Sequence, residues 1–402
     1  MQETTALDGA RPTGVAGWSA GAPARVLPFP PSRRSPVRVM GQWVVGFCAG
    51  AIIAAGFLLL APAERTASHS TALAALAALL LLRFIPLTAL GQAAGMSLSG
   101  LRWTRLSAPA LVIRREENGM RVTWSLRWFW LSESVACEVH TFAELRRAMP
   151  RFVDYGLLGC GVHLLLMAVT VLTITVTGSF NAVSMIPLWV VTAFFAVNRG
   201  QGFLTMLDTR RTLRRGGPHA DRLAAVYCLA FASANEQRPR DWDRDIVRHL
   251  DAPMRGAWDD VSAYHFAYSY ALDTGDIDAA QRYLDMACAT LRPEWRNVRV
   301  ILLRDRALFL AWHRNDPITA RHCYEQLPRR RRDFAALPGR AAVEFAEGNY
   351  DASAATARAG VVQLERLPPT GWSEMNLDIL RAIIERIEQR SRGPATAVPR
   401  DA

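Results

Sequence analysis

Residues 155–176 read YGLLGCGVHLLLMAVTVLTITV, an uncharged run in which His163 is the only imidazole. A helix needs about 20 apolar residues to cross the hydrocarbon core of a bilayer, so this stretch predicts a membrane span. Three further runs point the same way: 43–63 (WVVGFCAGAIIAAGFLLLAPA), 71–90 (TALAALAALLLLRFIPLTAL) and 182–198 (AVSMIPLWVVTAFFAVN). The second carries Arg83 and Pro86, and the fourth is short, with Pro187 placed to kink it. The fold expected is a polytopic α-helical membrane domain over 43–216 with a small cytosolic β-hairpin insert, followed by an all-α helical repeat domain over 218–389. Residues 1–42, rich in Gly, Pro, Ala and Arg, and 390–402 read as disordered tails.

Orientation follows from the short flanks, because cytoplasmic loops retain cationic residues. The chain contains no lysine, so all 47 cationic side chains are arginine. Arg25, Arg33, Arg34 and Arg38 precede the first run, nine arginines from Arg102 to Arg151 separate the second from the third, and Arg199, Arg210, Arg211, Arg214 and Arg215 follow the fourth. The turn VTGSFN between the third and fourth runs has no charge. Both termini are therefore expected in the cytosol. With its arginine and alanine usage, the chain is read as a multi-pass protein of a bacterial inner membrane. The formal charge of +11 is assigned to the bilayer surface and not to nucleic acid, since no arginine-rich helix with interleaved aromatics and no zinc-finger spacing occurs. The six cysteines are scattered and form no close pair, which indicates neither a disulfide framework nor a Cys-x-x-Cys metal site and fits a reducing compartment.

The loop 91–152 has its own organisation. Residues 99–114 and 119–126 read as strands around the turn REENG, and 141–150 as a short amphipathic helix. Trp124, Trp128, Phe129 and Trp130 form an aromatic cluster that either anchors at the membrane interface, forms a groove for a hydrophobic partner, or packs the hairpin on the membrane surface.

From about 218 the period changes to that of amphipathic helices, expected at 219–234, 243–251, 257–273, 277–290, 295–313, 317–326, 337–347, 350–364 and 373–389. Three turns resemble one another: ALDTGDIDAAQRYLDMA, AWHRNDPITARHCYEQL and FAEGNYDASAATARAGV. In each, a small residue (Ala280, Ala320, Ser353) lies four positions after Asp276, Asp316 or Asn349, where it permits close helix crossing. This predicts an all-α, tetratricopeptide-like domain of stacked helix-turn-helix hairpins, and stacked hairpins commonly bind a protein or peptide partner.

The order of elements resembles a bacterial subgroup of the site-2 protease (M50-type) intramembrane zinc metallopeptidases. GMSLSGLRWTRLSAPALVIRREENGMRVTW (95–124) is similar to the stretch following that family's metal-binding helix. AVNRGQGFLTMLDTRRTLRRGG (196–217) resembles its Asn and Asp-Gly segment, and RPRDWDRDIV (238–247) the start of its helical tail. The family's chemistry needs His-Glu-x-x-His, two imidazoles on one helix face holding zinc beside a general-base Glu. The resemblance places that motif at RFIPL (83–87), which has neither His nor Glu. Asp208 matches the third ligand position, followed by Thr209 where the family has Gly. Asp208 and His163 are the weak metal candidates, with no catalytic residue and no cofactor expected. His163 is read either as a ligand or proton carrier, or as a helix-to-helix hydrogen bond at a small-residue contact. Arg83 either pairs with Asp208 or snorkels to the headgroups. The expected function is a degenerate, non-catalytic membrane scaffold or regulator that binds a protein partner through its repeats. The alternative is a site-2-type protease with atypical zinc ligands.

Overall fold

A computed structural model describes residues 86–108, 111–116, 119–124, 133–177, 200, 202–252, 258–292, 295–328, 337–367 and 369–391. The runs 43–63 and 182–198, the two expected tails, Arg83, Trp128, Phe129 and Trp130 lie outside these residues, as does most of the run 71–90.

The first described helix, α1 (Leu87–Ser97), starts after Pro86 and buries Ala89, Ala93 and Met96. The expected span 71–90 thus ends inside a helix that continues to Ser97. Pro86 has no N–H to donate, which suits it to a helix start. Leu98 to Gly100 close the helix, Gly100 taking φ +84°.

Four antiparallel strands follow, β1 (Trp103–Ala108), β2 (Leu111–Glu116), β3 (Gly119–Trp124) and β4 (Ser134–Cys137), in the order β3-β2-β1-β4. The turn at REENG is as expected, with Glu116 opposite Gly119 and Leu111 opposite Trp124. The expected strand 99–114 is corrected: it is two strands, because the chain reverses between Ala108 and its partner Leu111. Pro109 cannot donate to a ladder, so a strand cannot run on through it. Strand β4 turns the expected hairpin into a sheet. Its apolar residues Val135 and Ala136 are buried against β1 and the helices, a contact that four residues of local sequence do not announce.

The separate helices expected at 141–150 and 155–176 are one helix, α2 (Phe142–Thr177), which runs through Pro150. Packing overrides the proline: Leu145, Met149, Phe152 and Val153 on either side of it face the same core as Leu106, Leu223 and Phe231. The second half of α2 changes environment, and Leu158, Val162, Leu165, Leu166, Val169 and Leu172 are exposed. Over Phe142–Val169 this helix is long and apolar enough to cross a membrane, the one such helix among the described residues.

Helix α3 (202–215) lies against α2, with Met206 beside Gly156 and Arg210 paired to Asp154 at 2.5 Å. The remaining helices are α4 (Gly217–Ala234), α5 (Arg244–Arg248), α6 (Trp258–Asp273), α7 (Ile277–Thr290), α8 (Arg296–His313), α9 (Pro317–Glu325), α10 (Leu337–Ala346), α11 (Tyr350–Glu365) and α12 (Gly371–Ser391). Their ends agree with the expected ones to within two residues, except that the segment expected at 243–251 is α5 followed by a 3-10 turn, His249–Asp251. Helices α6 with α7, α8 with α9, and α10 with α11 form hairpins, and α12 packs against α10 and α11. The core around α2 already includes Leu223, Ala224 and Phe231 of α4, so the sheet and the helical region share buried side chains.

Candidate functional site

The three repeated turns have one geometry. Gly275, Asn315 and Gly348 take positive φ (83°, 51° and 82°), ending one helix and turning the chain into the next. The following residue caps the new helix. Asp276 accepts from the N–H of Ala279 and Asp316 from that of Thr319, while Asn349 makes no such side-chain bond. Four residues on, Ala280, Ala320 and Ser353 are each fully buried, and the Ser353 hydroxyl donates to the Ala341 carbonyl at 2.8 Å.

The last helix restricts what the hairpins present. Met375 of α12 joins the core of α6, α7 and α8, and Leu377, Leu380, Ile383 and Ile387 join that of α8 to α11. Arg304 of α8 stacks over Trp372 at 4.1 Å. What the hairpins leave outward is α12 and their outer faces, where Ile318 is 83% exposed.

The sheet is fastened to both ends of this helical region. Arg105 of β1 donates to the carbonyls of Ala234 and Pro369, each at 3.3 Å, and Arg114 of β2 pairs with Glu236 at 2.6 Å. Burial, then the neighbouring Arg114, brings Arg105 down to about 10, yet it stays cationic near neutrality. Thr104 donates to the Asn235 side chain at 2.5 Å, and Asn235 donates to the Cys137 carbonyl at 2.9 Å. Deeper, Arg222 of α4 is fully buried beside Asp260, with Asp259 at 3.5 Å and the Ala252 carbonyl at 2.6 Å. Such a cluster fixes α4 against α6, because a buried charge is tolerated only when paired and hydrogen-bonded.

One pair has the form of a general-base dyad. His265 Nε2 lies 2.7 Å from Asp305, which Arg304 holds from the other side at 2.8 Å. Burial alone would raise the Asp305 carboxyl, but Arg304 and His265 together hold it below its usual range. Among the described residues no hydroxyl or thiol bonds the His265 ring, and the Ser269 hydroxyl goes instead to the His265 carbonyl. This arrangement locks α6 to α8 and offers no nucleophile.

The sequence-derived candidates are dispersed. Asp208 is exposed on α3, its carbonyl accepting from the Thr212 hydroxyl. His163 is buried on α2, one turn beyond Gly159. Among the described residues no three His, Cys, Asp or Glu side chains are grouped to hold a metal. The proposed pair of Arg83 with Asp208 lies partly outside the described residues. Trp124 is 60% exposed on β3, and Met120 and Val122 beside it are exposed as well.

The sequence reading missed the contact that seats α1 on α2. A Cβ on Gly91 would stand 2.2 Å from the Tyr155 carbonyl oxygen, and one on Gly159 equally close to that of Leu87. Gly95 is similarly confined by Arg151. The signal was present as Gly91 and Gly95 at the small-x-x-x-small spacing that lets helix backbones touch. No protein-family model, no curated protein and no solved structure matches this chain.

Proposed function

We propose that this chain is a non-catalytic scaffold of a bacterial inner membrane, multi-pass with both termini in the cytosol, whose helical hairpins hold a protein partner. The observation that carries the proposal is the division of α2. Its first half is the centre of the core shared with the sheet and α4, and its second half exposes a row of leucines and valines unsuited to water. A stiff helix of 36 residues is about 54 Å long at 1.5 Å per residue, enough to span the bilayer and still project a packed base beyond it. The resemblance to site-2 proteases without their His-Glu-x-x-His motif supports a scaffold in preference to an enzyme.

The test uses the full chain expressed in bacteria with a photo-crosslinking residue in place of Ile318. The chain is expected to resist alkaline extraction from membranes and to give discrete adducts with a protein. In a parallel preparation, purified chain and Asp208→Ala are expected to carry equal, substoichiometric zinc. Release into the soluble fraction, or the absence of adducts, would overturn the scaffold reading, and stoichiometric zinc lost in Asp208→Ala would point to the protease.

A further inference from the structure

The α8–α9 turn, α10 and the last turns of α12 enclose an open cleft of about 720 Å³, lined by Trp312, Asn315, Phe345, Arg386, Gln389 and Arg390. Arg386 rests over the Trp312 ring, its guanidinium carbon 4.3 Å from the centroid. Arg390 lies 5.5 Å from the Phe345 centroid and 4.9 Å from that of Tyr350, whose hydroxyl it also contacts. The rings brace each other edge to face, Trp312 with Phe345 at 5.5 Å and Phe345 with Tyr350 at 5.6 Å. A guanidinium has five N–H donors, so Arg390, which gives one to the Tyr350 hydroxyl, and Arg386 are both held in place by the rings while keeping donors for an oxyanion.

Among the described residues no carboxylate pairs with Arg386 or Arg390. Of the acids on the same stretch of α12, Glu388 faces Arg358 at 3.6 Å, and Glu385 accepts from Gln389 at 3.1 Å. Arg314, on the same turn as Asn315, is paired with Asp278.

We propose that this cleft binds an acidic, extended segment of the partner protein, with Arg386 and Arg390 each taking one carboxylate. The proposal rests on the scaffold reading and names the chemistry of its partner. The two arginines stand one helical turn apart, roughly 5–6 Å at their Cβ atoms. In an extended chain, alternate side chains point the same way about 6.8 Å apart, twice the rise per residue, so carboxylates at alternate positions meet the two forks. Two guanidiniums braced on different rings fit two separate carboxylates better than one phosphate. The rings already carry guanidinium faces and one another's edges, which leaves them poorly placed to stack a nucleotide base.

The experiment measures fluorescence anisotropy of the detergent-purified full chain with a labelled peptide alternating glutamate and alanine, and with its glutamine counterpart. The glutamate peptide is expected to bind at least tenfold more tightly, and R386Q/R390Q to lose about tenfold or more, as charge-assisted bonds are removed. A circular-dichroism melt checks that this variant is folded. The charge-reversed R386E/R390E is expected to take a lysine-alanine peptide in place of the glutamate one, a gain that no folding defect can produce. Equal binding of the glutamate and glutamine peptides, unchanged binding by R386Q/R390Q, or displacement of the peptide by equimolar inorganic phosphate would overturn the proposal. Failure here with partner adducts retained at position 318 removes the cleft and leaves the scaffold, whereas loss of those adducts with the peptide still bound removes the scaffold reading alone.

Discussion

At the scale of single residues, His313 shows how burial beside cations sets a proton's cost. Among the described residues its Nε2 has no hydrogen-bond partner, and burial, then Arg314 and Arg386, push its pKa down to about 4. The unfolded chain would protonate this ring near 6.5, so between those values the unfolded state holds the extra proton. Its contribution to stability is complete above about pH 6.5 and is lost as pH falls towards 4, by roughly 3 kcal/mol in all. The melting temperature of the wild type is expected to fall more steeply between pH 7.5 and 5 than that of His313→Gln, and parallel slopes would contradict this account. The adjacent Arg314 is legible in the sequence, but the depth of the site and the approach of Arg386 come from elements distant along the chain. The capping pattern of Asp276 and Asp316, by contrast, is legible directly, since a side chain bonding a backbone N–H three residues on needs no tertiary partner.

At the scale of elements, helix ends from 217 onward follow from caps and apolar period, whereas the middle of the chain needed packing to decide it. Proline ends a helix only when nothing outweighs the lost bond, and the core side chains around Pro150 outweigh it. The α1–α2 contact is set by glycines whose absent side chains allow carbonyls to approach. Gly91→Ala is expected to cost about 3 kcal/mol or more, because its Cβ meets backbone that cannot turn away. Gly161→Ala, on α2 with nothing within 4 Å of the added carbon, is expected to be neutral or slightly stabilising. Thermal melts of both variants in detergent check this, and equal effects would refute a glycine-mediated contact.

At the scale of the whole molecule, α12 closes the helical region back onto its beginning. Gly371 lies so near the Gln237 carbonyl that a Cβ would approach within 1.8 Å, and Arg238 joins Asp273 at 2.6 Å and Asp378 at 2.5 Å. Gly371→Val is expected to loosen this closure locally. Backbone amides of residues 373–380 should exchange hydrogen at least about tenfold faster, a loss of roughly 1.4 kcal/mol or more of local protection, with α1 unchanged. Uniform acceleration throughout the chain, or none, would count against a local closure. By itself the sequence determined the helices of the second half, the turn at REENG, the buried small residues of the hairpins and the apolar character of the chain's middle, since each follows from interactions a few residues apart. Only the tertiary structure decided the fourth strand, the unbroken α2, the seating of α1 and the clasp made by α12. Those depend on which surfaces meet, and whether two surfaces distant along the chain come together is not written in the local pattern of either.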